Sequence, residues 1–497
     1  MMRAARLLSA HETAPALRAS AGRAMAATGA TPLCSGIGVA PDCASGVLCT
    51  TPAECAAAAS TGTPYVYARP LTNASDMPAA ANAAALLTAG GGTTSHAAVL
   101  ARSWEKPSVV GAGFTMRDGT LILPGGEPLP CGEWVTLCST TGTVWLGRLE
   151  RYEDEGARDL VRDLSEAAET LAGLPGPTVY ANADTLAEAE RCTALGAMGV
   201  GVARSEHMFF GTDELPQLRI ALWSDQPARR DGALTSLRGL LAAKCGALMS
   251  GCSGRRLAVR LLDPPAHEFA APQDMARLRE QNPMMGVRGS RLGVLRPDLY
   301  RTQAQAIVEA HLALPSAQRS RLAILLPFVT TGAETRAVRQ ALELPPDIAV
   351  GAMIETPEAV FRAAEIAAEV DYLSVGTNDL VQFTLGMSRD DVATTLLPAY
   401  LSQGLLDDDP MTHLDHSAGT MGLIRLLTGF APHVPWGVCG EHAADPSSLA
   451  ALLPHDPDYV SVSAAGVLSA RIEVGRHRAR GFLKPDERVP AHVDSRA

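Results

Sequence analysis

The strongest constraint on the fold is an alternation: between 177 and 485, short apolar runs take turns with amphipathic helical stretches. Repeated strand–helix units of this kind pair their strands in parallel and cover them with the connecting helices. Candidate strands start near 178, 199, 258, 323, 349, 372, 435 and 459. Eight such units close into a (β/α)8 barrel. The competing α/β architecture, an open doubly wound sheet, is disfavoured because no strand runs into a Gly-x-Gly-x-x-Gly turn. Polar residues then collect in one place. Arg204, Arg260, Glu355, Asn378, Asp379 and Cys439 each fall at or just after the end of a candidate strand, the face on which such barrels carry their chemistry.

Residues 33–150 have a different texture, with Gly, Pro and Thr punctuating short apolar runs such as Trp134-Val-Thr-Leu-Cys138. That pattern predicts a small, strand-rich β/α domain. A charged helical stretch over 151–176, ending in Gly173-Leu-Pro-Gly176, links it to the barrel at 177–485. The first 32 residues are Ala-rich and carry Arg3, Arg6, Arg18 and Arg23 against one acid, Glu12. This composition fits either a helical linker or an organellar targeting segment. Residues 486–497 read as a polar tail.

With 47% hydrophobic and 19% charged residues over 497 positions, the chain has the material for packed cores. Its formal net charge of -11 argues against a nucleic-acid partner. No apolar run reaches the roughly 18 residues of a membrane span, so no membrane partner is expected. A cytoplasmic location follows, with the N-terminal segment leaving an organelle open. The ten cysteines include no Cys-x-x-Cys pair and no zinc-finger spacing, and are expected to be reduced thiols.

One histidine stands out. His96 follows Gly90, Gly91 and Gly92 and the hydroxyl residues Thr93, Thr94 and Ser95, and it precedes a helix-compatible run from Ala97 to Ala101. Glycines allow close backbone approach, and a helix N-terminus presents unpaired N–H groups and a positive dipole end. Together they make an anion site. A neutral imidazole there is a nucleophile whose phosphorylated form the same donors would stabilise.

The segment Gly91-Gly-Thr-Thr-Ser-His-Ala-Ala-Val-Leu-Ala-Arg102, with Lys106-Pro107 and Val109-Val110-Gly111 behind it, resembles the phosphohistidine signature of the phosphoenolpyruvate (PEP)-utilising enzymes. The resemblance continues through Ala203-Arg-Ser-Glu-His-Met-Phe-Phe210, Val259-Arg-Leu-Leu-Asp-Pro-Pro-Ala-His-Glu-Phe269 and Asn282-Pro-Met-Met-Gly-Val-Arg-Gly-Ser-Arg-Leu-Gly293. It includes Gly376-Thr-Asn-Asp-Leu380 and Gly437-Val-Cys-Gly-Glu-His442, covers roughly 33–480, and is closest to the pyruvate phosphate dikinases. It implies a swivelling phosphohistidine domain followed by a PEP/pyruvate barrel. It also implies reversible phosphoryl transfer between PEP and His96, giving pyruvate. By position, Arg204 and Arg260 would grip the phosphoryl group, with Arg288 and Arg389 completing the cationic pocket. Guanidinium forks suit that task because they neutralise phosphate oxygens in pairs. Glu355 and Asp379 would hold Mg2+, Asn378 would hydrogen-bond substrate, and Cys439 would protonate the enolate carbon as a thiol of ordinary pKa. Thr94 falls where plant-type members carry a regulatory phosphorylation, and family members resembling this chain form homodimers through the barrel.

Some departures touch no reacting group: Glu105 for a Gly, Ser205 for a Thr, Ala443 for a Gly, and Ser463-Ala-Ala-Gly466 for a Ser-Pro-Phe-Arg-like segment. A larger one is that neither a P-loop nor any substitute ATP site is legible. The expectation is therefore the PEP/pyruvate half-reaction, with a nucleotide-binding subunit or phosphoacceptor protein in trans. The alternatives are a PEP-dependent protein phosphotransferase resembling enzyme I, a non-catalytic regulatory or dimerisation partner of a full-length dikinase, and one part of a longer gene product.

Overall fold

The computed structural model describes residues 1–10, 32–39, 43–72, 76–91, 97, 101, 106–117, 119–139, 141–149, 155–209, 214–263, 269, 280–392, 395–414 and 417–483. These fall into two compact units, one drawn from 1–169 and 387–409 and the other from 170–386 and 410–483.

The first unit is built on a mixed sheet. Its strands are β1 (Pro32–Ser35), β2 (Ile37–Val39), β3 (Cys43–Cys49), β4 (Tyr65–Arg69), β5 (Ala85–Thr88), β6 (Ser108–Val110), β10 (Trp134–Cys138) and β11 (Thr143–Leu146), in the order β1-β11-β10-β3-β4-β5-β6-β2. A separate antiparallel sheet holds β7 (Thr115–Arg117), β8 (Thr120–Ile122) and β9 (Pro128–Leu129). Strands β3 to β6 run parallel, and their flanks are antiparallel. Side chains alternate across a strand, and β4 shows the consequence. Val66 and Ala68 enter one core with Leu48, Leu87 and Val135, while Tyr65 and Tyr67 enter a second core with Cys55, Leu86 and Val110. Ala97 and Ala101 are buried in that second core. Residues 2–10 are an α-helix, and so are 155–170.

The second unit contains the expected barrel. Its strands are β12 (Thr178–Asn182), β13 (Gly199–Arg204), β14 (Arg256–Arg260), β15 (Arg321–Leu326), β16 (Ala349–Ile354), β17 (Tyr372–Val375), β18 (Trp436–Val438) and β19 (Tyr459–Ser463). They close in sequence order, with β12 pairing in parallel with β19. The apolar run of β15 is buried after its first residue, as a strand covered on both sides requires. Helix starts are fixed by side-chain caps. Thr185 and Glu188 form a reciprocal capping box, and Thr331 and Thr356 cap the helices that follow them. The amphipathic stretch after β16 forms two helices, Pro357–Phe361 and Ala363–Ala367, with the Arg362 N–H between them shared by the Glu358 and Val360 carbonyls. No helix among the described residues is long and apolar enough to cross a membrane.

The barrel interior is filled unusually. Val202, Ala258, Ala323, Leu325, Met353, Tyr372, Cys439 and Tyr459 form its central cluster. Gly351 lies opposite Tyr372 and Gly437 opposite Tyr459. A Cβ on Gly351 would come within 2.2 Å of the Tyr372 ring, and one on Gly437 within 2.5 Å of the Tyr459 ring. The two glycines make the space that the tyrosines occupy.

The expectation of ten reduced thiols is corrected at one pair. Cys43 and Cys138 are joined by a disulfide, and the other eight cysteines are free. The two sit directly opposite each other on antiparallel β3 and β10, where facing side chains share one side of the sheet at close range. Sequence spacing carries no trace of this, since the partners are 95 residues apart. Thiol titration of the denatured, unreduced chain should count eight thiols, and ten after reduction; ten in both would overturn the bond.

Candidate functional site

The site is assembled at the C-terminal ends of the barrel strands. Arg204 ends β13 and Arg260 ends β14. Glu355 follows β16, Asn378 and Asp379 open the helix after β17, and Cys439 follows β18. Arg288 stands at the head of the helix Gly289–Leu295.

Its centre is a buried charge cluster. Arg288 donates from Nε to Asp263 Oδ1 at 2.8 Å and from Nη2 to Asp263 Oδ2 at 2.5 Å and Asp379 Oδ2 at 2.8 Å. Its guanidinium also lies 4.5 Å over the Phe328 ring. Burial works against the Arg288 charge, but Asp263 and Asp379 overcome it and hold the proton more firmly than usual. Burial likewise works against ionised Asp263, yet Arg288 beside it keeps this carboxyl below its ordinary range. A pair this well compensated is costly to break. Removing one member of such a pair costs about 3–5 kcal/mol, because the other is left charged and buried.

Glu355 lacks a cation of its own. Its Oε1 accepts the Phe328 N–H at 2.7 Å. Burial, then the charges of Asp379 and Asp263, push its pKa up to about 8 despite Arg260 and Arg288 nearby. Phe328 is held at φ 54, a left-handed conformation that is strained for an aromatic residue. That strain aims its amide at the carboxylate. Oxygens of Asp263, Glu355 and Asp379 lie within 4.8 Å of one another, a set able to hold a metal ion. Both Asp263 oxygens accept from Arg288, and Asp379 accepts from Arg288 at Oδ2 and from the Gln382 amide at Oδ1, 3.1 Å away, so Glu355 is the one carboxylate of the three that no guanidinium hydrogen-bonds among the described residues.

The remaining polar residues are tied down by neighbours. Arg260 pairs through Nη2 with Glu206 Oε1 and approaches Asp263 at 4.0 Å. The backbone N–H of Arg204 is fixed by Asp184 Oδ1 at 2.6 Å, and the other oxygen of Asp184 meets His207 Nδ1 at 2.6 Å. Asn378 Oδ1 accepts the Glu441 N–H at 2.9 Å, so this atom orders the Cys439 loop. His442 reinforces the loop. Its Nε2 faces the Pro410 carbonyl at 3.1 Å and its Nδ1 faces Thr377 Oγ1 at 2.9 Å. A carbonyl only accepts, so Nε2 carries a proton and donates to Pro410.

Cys439 is buried, with its thiol donating to the Val375 carbonyl at 3.5 Å. Burial pushes its pKa up to about 11, against a downward pull from Ser374. The expectation of a thiol with ordinary acidity is thus corrected: desolvation keeps the proton on sulfur more firmly than in water.

The structure brings Arg260, Arg288, Glu355 and Asp379 together, and it places Arg204, Asn378 and Cys439 on the same end of the barrel. Arg389 is buried in the segment 387–409, which groups with the first unit, and is not among the residues the barrel itself assembles. His96 and Thr94 lie outside the described residues. Before them, Gly91 adopts φ 100 and the Thr88 hydroxyl donates to the Gly90 carbonyl at 2.7 Å. Asp263, Glu206 and Asp184 were not anticipated. Only Asp263 had a signal, its place three residues after Arg260 at a strand end.

A family model described as "PEP-utilising enzyme, PEP-binding domain" matches residues 159–479, and one described as "PEP-utilising enzyme, mobile domain" matches 63–142. Over 477 residues the chain is 34% identical to pyruvate, phosphate dikinase 1, chloroplastic, of Arabidopsis thaliana, covering 88% of this chain and 49% of that protein. It is 36% identical over 452 residues to the chloroplastic pyruvate, phosphate dikinase of Flaveria pringlei, covering 83% and 47%. It is 31% identical over 490 residues to pyruvate, phosphate dikinase of Rickettsia typhi, covering 90% and 55%. The chain spans about half the length of these curated relatives.

The raised Glu355 pKa makes stability depend on pH. Its folded value of about 8 lies above the ordinary glutamate value of 4.5, so ionising it opposes folding. Without divalent cation, unfolding free energy should fall as pH rises from about 5 to 8, by a few kcal/mol at most. Denaturant titrations should show that slope, and Glu355→Gln should flatten it. An unchanged slope in the variant would refute the assignment.

Proposed function

We propose that this chain, which belongs to the PEP-utilising enzyme family, transfers a phosphoryl group reversibly between PEP and His96, with pyruvate as the other product. The observation that carries this reading is the convergence of guanidinium groups, a buried carboxylate set and a protonated thiol on one end of the barrel. Phosphoryl transfer asks for that combination, because catalysis there is mostly positioning and charge compensation.

In the forward direction an imidazole nitrogen of His96 attacks phosphorus, the N–P bond forms, and the P–O bond to the enol oxygen breaks with its electron pair. Arg204 and Arg260 bind the phosphoryl oxygens as charge moves toward the enolate. Arg288 is held rigid by Asp263 and Asp379, so it presents a fixed positive field without reorganising. Arg389 is assigned the same phosphoryl site from its sequence position alone. Asn378 orients substrate through its side-chain N–H groups, since its Oδ1 is occupied by the Glu441 N–H of the Cys439 loop. The S–H bond of Cys439 then breaks as a C–H bond forms at C3 of the enolate, which gives pyruvate. A pKa of about 11 keeps that thiol loaded at neutral pH.

Glu355 and Asp379 fit a hard divalent cation, since both offer carboxylate oxygens and Glu355 is charged only at a cost that a cation would remove. Bound Mg2+ would supply counter-charge to substrate oxygens. The phosphoryl group leaves His96 in a second step, to a nucleotide-binding unit or an acceptor protein. We assign Thr94 a regulatory role as a phosphorylation site two residues before His96.

Incubation of the chain with phosphorus-labelled PEP and Mg2+ should yield one acid-labile phosphohistidine per chain, and pyruvate in equal amount. His96→Ala should abolish both. Label that survives this substitution, or none in the unsubstituted chain, would refute the proposal.

A further inference from the structure

The barrel interior carries polar groups that the reaction above does not use. Arg256, the first residue of β14, places its guanidinium 4.2 Å from the Tyr372 ring centre, 5.4 Å from that of Tyr459 and 5.6 Å from that of Tyr180. Barrel cores of this type are normally filled by branched aliphatic side chains. Here an arginine and three tyrosines occupy the end opposite the site. Nε and Nη2 of Arg256, the hydroxyl of Tyr372 and the hydroxyl of Ser374 are buried and reach no partner in full hydrogen-bond geometry among the described residues, although Arg256 stands beside the Tyr372 hydroxyl and Ser374 stands between Cys439 and Tyr459. Tyr459 differs, since its hydroxyl donates to the Leu373 carbonyl at 3.2 Å.

These orphaned groups are ordered in space. Tyr372 and Ser374 are the first and third residues of β17 and so share one face of the strand. Tyr372 lies in the same interior cluster as Cys439. Ser374 is in register with Gly437, two residues before Cys439, so its hydroxyl and the thiol lie on the same side of neighbouring strands, and Ser374 pulls the thiol's pKa down against burial without a complete hydrogen bond. Arg256 is only partly buried and stands where β14 begins. The sequence Cys439, Ser374, Tyr372, Arg256 therefore runs from the site toward the far end of the barrel. Native proteins rarely leave several buried polar atoms unpaired in one place, and ordered water is their usual partner.

We propose that Ser374, Tyr372 and Arg256, bridged by buried water, form the route by which Cys439 exchanges its proton with solvent at the far end of the barrel. After Cys439 protonates C3, its thiolate takes a proton from the Ser374 hydroxyl. Ser374 is reprotonated by the adjacent water in the same transfer, and that water by the next donor along the line. One solvent proton enters for each pyruvate formed, and every side chain returns to its starting state. Running in reverse, the line removes the proton that Cys439 takes from pyruvate. The thiol is buried and donates to the Val375 carbonyl, so a line of hydroxyls behind it gives its proton a path to solvent that substrate binding leaves open. The second interior layer supports this geometry, because Ser461 donates to Asn182 Oδ1 at 2.7 Å and Asn182 donates to the Cys439 carbonyl at 3.2 Å, fixing the thiol's backbone.

The inference rests on the proposed role of Cys439 and is tested separately from it. Two rates are measured with Mg2+: exchange of pyruvate C3 protons for deuterium, by proton NMR in D2O, and phosphohistidine formation from PEP. Ser374→Ala and Tyr372→Phe should each lower the ratio of exchange to phosphoryl transfer about ten-fold or more, in keeping with the contribution of a positioned proton donor. Ser374→Thr, which keeps the hydroxyl, should recover most of it. Tyr372→Phe retains the ring that packs over Gly351 and so retains the fold. A ratio within two-fold of the unsubstituted chain in both variants would overturn the route. If the unsubstituted chain forms phosphohistidine but never exchanges C3 protons, the role given to Cys439 fails, and the route fails with it.

Discussion

The bridge from Arg288 to Asp263 and Asp379 is the interaction on which the rest of the site depends. One guanidinium joins carboxylates from the stretch after β14 and from the helix after β17. It thereby ties together segments that meet only because the barrel closes. Three carboxylates converge within 4.8 Å, and without this cation their mutual repulsion in a buried setting would hold them apart or protonated. Arg288 hydrogen-bonds two of them. The third, Glu355, is left with a raised pKa, which is the condition for competition between a proton and a metal ion at one carboxylate.

A second level of organisation fixes the groups around that bridge. Asp184 holds the Arg204 backbone, Glu206 engages Arg260, and Asn378, Thr377 and His442 lock the loop that carries Cys439. Each of these contacts joins residues near strand ends. Preorganisation of this kind lets charged groups act without moving when charge develops. The strained Phe328 has the same purpose, directing one backbone amide at Glu355. At the other end of the barrel, Gly351 and Gly437 give up their side chains so that Tyr372 and Tyr459 can surround Arg256. The two ends therefore differ in kind, one ionic and the other aromatic and polar.

Sequence reading went furthest where signals are periodic or local. The eight barrel strands were legible because each is a short apolar run bounded by turn residues, and the observed strands begin within about two residues of the expected positions. Boundaries inside helices were less legible, as the break at Arg362 shows, since an amphipathic pattern continues across a shared hydrogen bond. Candidate site residues were legible by type and by position at strand ends. Asp263 was missed although it stands three residues after Arg260 at a strand end, because its importance lies in contact with Arg288, 25 residues on. Glu206 and Asp184 had no local signal, and their importance likewise lies in contacts with Arg260 and Arg204 across neighbouring strands.

By itself, then, the sequence determined the order of elements, the barrel, the strand ends that bear polar groups and the glycine-flanked His96, because each is encoded by neighbours along the chain. Only the tertiary structure decided which charges neutralise which, that Cys43 faces Cys138, that Glu355 and Cys439 hold their protons above the usual range, and that orphaned hydroxyls follow one another through the barrel interior. Those outcomes depend on burial and on distances between residues far apart in sequence. Desolvation and Coulomb energy act through space, and a sequence read along its length carries no measure of that space.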